Sequence, residues 1–168
     1  VRVRSFDVAT FVAFGGAELG VAGSDVLMEF DYPETYAPLD LGIGRCRMVV
    51  AERAEMSKDD DPQRWSHIDV ATKYPALTRR HFAARGVQAE CIKLNGAMEL
   101  APTLGLAPRI VDLVSTGATT LASYGCPAWG SEGWIGCTVV VNDAFSRSFR
   151  LRYRNELPYD SSFSMKSL

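Results

Sequence analysis

The sequence predicts an α/β protein built on a largely parallel sheet, and three observations carry that prediction. Short strand-like runs, at 19–22, 46–51, 68–72, 88–94, 110–114 and 139–141, alternate with segments whose apolar residues recur at helical spacing. The run Ile110-Val111-Asp112-Leu113-Val114 is almost wholly apolar, as a strand covered on both faces requires. At 168 residues, 47% hydrophobic and 23% charged, the chain is long enough to bury a core of its own.

Taken in order, Val1-Arg2-Val3-Arg4 reads as a short strand. Asp7 suits the N-cap of a helix that carries Val8, Phe11 and Val12 and stops at Gly15-Gly16. Residues 19–22 form a buried strand, Gly23-Ser24-Asp25 a turn, and a second helix opens at Val26. Pro33 and Pro38 mark a loop, and residues 46–51 a strand. The polar stretch 56–65, with Lys58-Asp59-Asp60-Asp61-Pro62, reads as a solvated loop that separates two lobes. Residues 68–72 are a strand, and Pro75 opens a helix that ends near Gly86. After the strand 88–94, residues 97–106 are helical but split into two pieces by Pro102. Residues 110–114 and 139–141 are the last strands; the glycine-rich stretch 120–137 has no assignable element, and the tail from 151 is frayed.

Charge and cysteine content narrow the function. With 18 Lys and Arg against 20 Asp and Glu, the net charge is −2, so local groups rather than a basic surface must capture any anionic ligand. Cys46, Cys91, Cys126 and Cys137 include no C-x-x-C pair, and with only His67 and His81 beside them a Cys/His zinc site has no support. Reduced thiols point to the cytoplasm. Phe6-Asp7 and Glu18 interrupt any signal-peptide core. No apolar run nears the roughly 18 residues of a membrane span. The expectation is a soluble cytoplasmic protein that binds neither nucleic acid nor membrane.

The strongest candidate site follows the strand 110–114. Asp112 is succeeded by Ser115, Thr116, Gly117, Ala118 and Thr119, where the carboxyl end of a parallel strand leads into a helix and faces the ligand crevice. Hydroxyls, a glycine without Cβ and helix N-terminal amides make a phosphate cradle. A carboxylate repels phosphate, so Asp112 suits ribose hydroxyls or a Mg²⁺ beside the phosphates. An ordinary capped strand-turn-helix junction has the same form. Gly20-Val21-Ala22-Gly23-Ser24-Asp25 is a second strand-glycine-helix turn, and Arg4 closes the first strand beside the same crevice. Arg45 and Arg47, two apart, share one face of a strand. Lys73, Arg79 and Arg80 flank a helix start and read as a solvated face, and both histidines read as structural.

In several ordered segments the chain resembles the ATP phosphoribosyltransferase family, short form, whose members open histidine biosynthesis. The segments are Arg4-Ser5-Phe6-Asp7-Val8, Leu19-Gly20-Val21-Ala22-Gly23 and Leu41-Gly42-Ile43-Gly44-Arg45-Cys46-Arg47, then Ala71-Thr72-Lys73-Tyr74-Pro75 and Lys93-Leu94-Asn95-Gly96. A signature then runs from Glu99 through Gly105, Ala107, Ile110 and Asp112 to Thr116, Gly117 and Thr119. The resemblance implies a two-lobe fold similar to type II periplasmic binding proteins, with mixed, mostly parallel sheets and an interdomain cleft. Lobe I would comprise 1–52 with 137–151, lobe II 53–136, and 152–168 a tail. The implied reaction moves a phosphoribosyl group from phosphoribosyl pyrophosphate (PRPP) to the adenine ring of ATP, with Mg²⁺, and releases pyrophosphate. Such a transfer needs little acid–base chemistry, so orientation, cationic side chains and the metal carry the acceleration.

By position, the resemblance implies that Arg4 and Asp112 are catalytic. It gives Asp112, Ser115, Thr116, Gly117, Ala118 and Thr119 to PRPP, and Gly20, Gly23, Arg45 and Arg47 to the nucleotide. Glu99 would support the loop from behind, and no metal ligand is assigned. It further implies a hetero-oligomer with a regulatory subunit resembling a histidyl-tRNA synthetase. Two departures stand against this pattern. The family opens with a strand and helix carrying a basic Pro-Lys-Gly-Arg-like turn, and a chain beginning at Val1 lies beyond it, which implies N-terminal truncation. Thr120 stands where Leu or Met is expected, and the likeness then fades until Thr138-Val139-Val140-Val141-Asn142. These departures motivate the alternative of a non-catalytic two-lobe module that binds nucleotide or phosphoribosyl groups, or joins subunits.

Overall fold

The computed structural model describes residues 1–53, 61–114 and 137–142. The elements in chain order are α1 (Ser5–Ala13), β1 (Leu19–Gly23), α2 (Ser24–Phe30), β2 (Thr35–Asp40) and β3 (Arg47–Glu52). They continue with β4 (His67–Thr72), α3 (Pro75–Ala83), β5 (Gln88–Lys93), α4 (Leu100–Thr103), β6 (Arg109–Val114) and β7 (Cys137–Asn142). Two sheets result. One has the order β1-β7-β2 and is antiparallel throughout. The other has the order β3-β6-β4-β5, with β3 antiparallel to β6 and the remaining two ladders parallel. The class is the α/β fold with mixed sheets that the sequence predicts, and its parallel pairing is confined to the four-stranded sheet.

The pleat sorts the core of the larger sheet into two layers, because successive side chains point to opposite faces. Ala51, Ala71 and Ile110 go to one face with Met98, Ala101 and Ala107. Their neighbours Val50, Val70 and Val111 go to the other, under Phe82 of α3, with Ile68 and Val87. The smaller sheet is covered by α1, where Val12 meets Ala22 and Val140. At the amino end of β6, Arg109 Nε donates to Glu52 Oε2 at 3.0 Å, and its guanidinium lies 4.2 Å over the Trp65 ring. Both charges are buried and directly opposite in register. Removing either partner of such a pair leaves an uncompensated charge, a loss of about 3–5 kcal/mol.

The structure departs from the sequence reading at several elements. β3 pairs with β6 over its full length and so belongs to the four-stranded sheet. The cause is visible in its burial: Val49, Val50 and Ala51 are all inside, as only a strand covered on both faces can be. Residues 1–4 are exposed and form no strand, since no strand among the described residues lies beside them. The N-cap of α1 is Arg4, whose carbonyl accepts from the Asp7 and Val8 amides. Asp7 instead lies in the first turn, where its charge favours the helix dipole. Pro38 sits inside β2, which tolerates it as an edge strand whose register shifts between Tyr36 and Leu39. Only Leu100–Thr103 of the expected helical stretch 97–106 forms a helix. The stretch 120–137, apart from Cys137, and the tail lie outside the described residues.

Candidate active site

The parallel ladders bring three strand ends to one edge. Thr72 at the end of β4 stands opposite Val111 of β6 and Lys93 of β5. Thr72 fixes this corner. Its buried hydroxyl donates to the Val111 carbonyl at 3.0 Å and accepts from the Tyr74 amide at 3.0 Å, while its own carbonyl accepts from the Leu94 amide.

Asp112 emerges at this edge, half-buried, with Oδ1 accepting from the Leu113 amide at 2.8 Å. Burial pushes its carboxyl above the usual range. The Leu113 amide opposes that rise, the charge of Glu99 adds to it, and the charge of Lys73 opposes it. Lys73 follows β4 directly, and its Nζ stands 4.3 Å from the centroid of the Phe6 ring.

Side chains from the smaller sheet and its helices close the other side. Tyr74 donates its hydroxyl to Asp25 Oδ2 at 2.8 Å, and both residues are buried. Burial pushes the Tyr74 phenol far up, and the charge and hydrogen bond of Asp25, then the charges of Asp112 and Cys46, push it further. The Phe6 ring of α1 meets Phe30 edge-to-face and Tyr74 at a tilt, each at 5.5 Å between centroids. From α2, Glu29 accepts from the Ala76 and Leu77 amides at 3.0 and 2.9 Å, satisfying two orphan donors at the start of α3. Arg80 of α3 reaches Asp31 and the Met28 carbonyl. The contact between the two halves of the molecule is thus polar, buried at its centre and adjacent to Asp112.

The sequence-predicted residues meet this geometry unevenly. Arg4 is exposed at the head of α1, two residues from Phe6. Arg47 opens β3 opposite Val114, beside the carboxyl end of β6, whereas Arg45 precedes the strand, so the two do not share a strand face as expected. Glu99 is exposed ahead of α4 and reaches Asp112 through its charge. Gly20 is needed by packing: a Cβ there would stand 2.6 Å from Val8 Cγ1, 2.9 Å from Val12 Cγ2 and 3.2 Å from Val140 Cγ1. At Gly23 a Cβ would collide with the Asp25 carboxylate. Ser115, Thr116, Gly117, Ala118 and Thr119 lie outside the described residues.

Sequence reasoning places Asp25 in the second candidate turn and Tyr74 in a family segment but gives neither a role, and it leaves Lys73 on a solvated face. Asp25 and Tyr74 are 49 positions apart, a pairing that no local pattern encodes. A weaker signal existed, since an acid beside Val26 on a short helix needs a partner when buried. Among the described residues no group of three or more His, Cys, Asp or Glu side chains is disposed to hold a metal. Asp112 is a hard oxygen donor at this edge, of the kind that suits a Mg²⁺ completed by substrate phosphates and water rather than a protein cage. His81 lies away on α3, its pKa lowered by burial and then by Arg85.

Comparison with known proteins gives consistent results. The family model of ATP phosphoribosyltransferase (HisG) matches residues 4–127. The enzyme of that name from Paramagnetospirillum magneticum is 76% identical over 123 residues, which are 73% of this chain and 56% of the relative. That from Rhizorhabdus wittichii is 72% identical over 144 residues, 86% of this chain and 65% of the relative. The chain therefore spans little more than half to two thirds of the length of these curated relatives. Among solved structures, the ATP phosphoribosyl transferase (HisG:HisZ) complex from Thermotoga maritima aligns with a TM-score of 0.75 at 33% identity, covering 88% of this chain and 70% of that one. The structure of Tv2483 bound to L-arginine aligns with a TM-score of 0.58 at 10% identity, covering 86% and 61%, a likeness of fold alone.

Proposed function

Because the chain belongs to the ATP phosphoribosyltransferase family, we propose that it transfers a phosphoribosyl group from PRPP to the adenine ring of ATP and releases pyrophosphate, the first step of histidine biosynthesis. The observation that carries the reading is the half-buried Asp112 carboxylate at the strand ends, facing the Tyr74–Asp25 contact between the two halves. In the reaction an adenine ring nitrogen attacks the anomeric carbon with its own lone pair, and the bond from that carbon to the pyrophosphate oxygen breaks. No proton need leave the nucleophile. Asp112 accepts hydrogen bonds from the ribose hydroxyls and stabilises the positive charge that grows on the sugar. Partial burial strengthens that interaction over its value in water. Ser115 to Thr119 take the 5-phosphate, Arg4 the departing pyrophosphate, and Gly20, Gly23, Arg45 and Arg47 the region of the nucleotide. A Mg²⁺ bound with the substrate phosphates, with Asp112 as the nearby carboxylate that could help hold it, would supply charge neutralisation on the leaving group.

The reading extends to a cytoplasmic location and to a hetero-oligomer with a regulatory subunit resembling a histidyl-tRNA synthetase. It is supported by the Thermotoga maritima complex as a structural neighbour. No helix among the described residues is long and apolar enough to cross a membrane. A second reading is a two-lobe module that binds nucleotide or phosphoribosyl groups, or joins subunits, without turnover.

Pyrophosphate release separates the two readings. Mixed with ATP, PRPP, Mg²⁺ and the regulatory subunit, the chain is expected to release pyrophosphate only when both substrates are present. Asp112→Asn is expected to lower the rate by about a hundredfold or more. PRPP binding without release supports the module instead, and an unchanged rate in Asp112→Asn removes Asp112 from the chemistry.

A further inference from the structure

We propose that Lys73 is an anion-binding residue of the cleft and takes the pyrophosphate group of the phosphoribosyl substrate. The inference rests on the transferase reading above and adds a residue that the reading does not use. Its first support is position. Lys73 follows β4, whose end lies between those of β5 and β6, and in such sheets the crevice outside the carboxyl ends receives the ligand. Its second support is the placement of the charged head. Nζ lies 4.3 Å over the ring of Phe6, which belongs to α1 of the other half and also packs on Tyr74. The ammonium therefore stands at the seam between the halves and not on the solvated face of α3.

The third support is charge balance. Asp112, Glu99 and Asp25 place carboxylates around this edge, and an incoming pyrophosphate would be repelled by each of them. Lys73 is the half-buried cation in their midst, and its charge already acts on Asp112. Among the described residues it takes part in no salt bridge, so its three donors are not committed to a carboxylate. Contact with the Phe6 face restrains the long side chain before any ligand arrives, which reduces the ordering cost of using it. A donor-only ammonium suits phosphate oxygens better than sugar hydroxyls.

Calorimetric titration of PRPP, inorganic pyrophosphate and ATP into the unaltered chain, Lys73→Met and Lys73→Arg tests the proposal. Methionine keeps an unbranched stem against Phe6 and removes the charge, so the melting temperature should stay close to that of the unaltered chain. The expected result is about tenfold or greater weakening of PRPP and pyrophosphate in Lys73→Met, with ATP affinity kept and most PRPP affinity restored in Lys73→Arg. The salt dependence of PRPP binding should also become shallower. Should Lys73→Met melt early, Lys73→Gln takes its place. Unchanged PRPP affinity in a folded, charge-free variant overturns the proposal, as does a loss confined to ATP. Failure of the unaltered chain to bind PRPP overturns the transferase reading and this proposal with it.

Discussion

Asp112 is held against its own charge. Burial raises its carboxyl above the ordinary value of 3.8, and Glu99 adds to the rise, while the Leu113 amide and Lys73 oppose it. Between the ordinary and the raised value the folded chain binds more protons at this residue than the unfolded chain does. Stability therefore falls as pH rises through that window and stays at the lower level above it. In Asp112→Asn the side-chain oxygen can still accept from Leu113, but the charge is gone. Metal-free urea denaturation should show this variant more stable than the unaltered chain at pH 7, with the gap closing as pH falls toward 3.8. A gap that widens on acidification would contradict the account. A residue whose loss stabilises the fold is one retained for function. Asp112 was legible in the sequence because a lone acid interrupts an apolar strand. Lys73 and Asp25 were not, because their meaning depends on Phe6 and Tyr74, which the fold brings from distant positions.

At the scale of elements, local chemistry explains most of what was legible. Gly15 and Gly86 adopt positive φ, +73° and +75°, just beyond α1 and α3, and Pro75 opens α3, so both helices end where the sequence says. What failed to read were elements set by neighbours: β2 runs through Pro38 because β7 holds its edge, and residues 1–4 form no strand because nothing described pairs with them. Gly20 belongs to this class. The sequence reading places it near a nucleotide, while the structure gives it α1 as a neighbour. A methyl group normally stabilises a strand glycine by up to about 1 kcal/mol, but here it would meet Val8 and Val12 well inside contact distance. Gly20→Ala is expected to lose about 1–3 kcal/mol in urea denaturation as α1 is pushed off the sheet. A neutral or stabilising result would show that α1 yields easily.

Among the described residues, the two sheets are joined at a contact where polar groups are buried on both sides. Tyr74 and Asp25 hold the centre, Glu29 holds the start of α3, and Arg80 ties its middle to the end of α2. Asp112 and Lys73 lie next to this joint, whereas the buried Glu52–Arg109 pair sits at the opposite end of β6. The buried ion pair and the proposed site thus occupy different ends of the same strand. The α/β class was legible in the sequence from the alternation of strands and helices. Membership of β3 in the larger sheet was not, because pairing partners far apart in sequence decide it.

Hydrogen exchange with and without PRPP and Mg²⁺ tests the central claim most directly, since it reports where the ligand acts. The account predicts slowed exchange in peptides covering 111–119 and 71–77, with little change at 51–53 and 62–68, the far end of the larger sheet. Protection confined to that far end, or none at PRPP concentrations that saturate the family's enzymes, would contradict it.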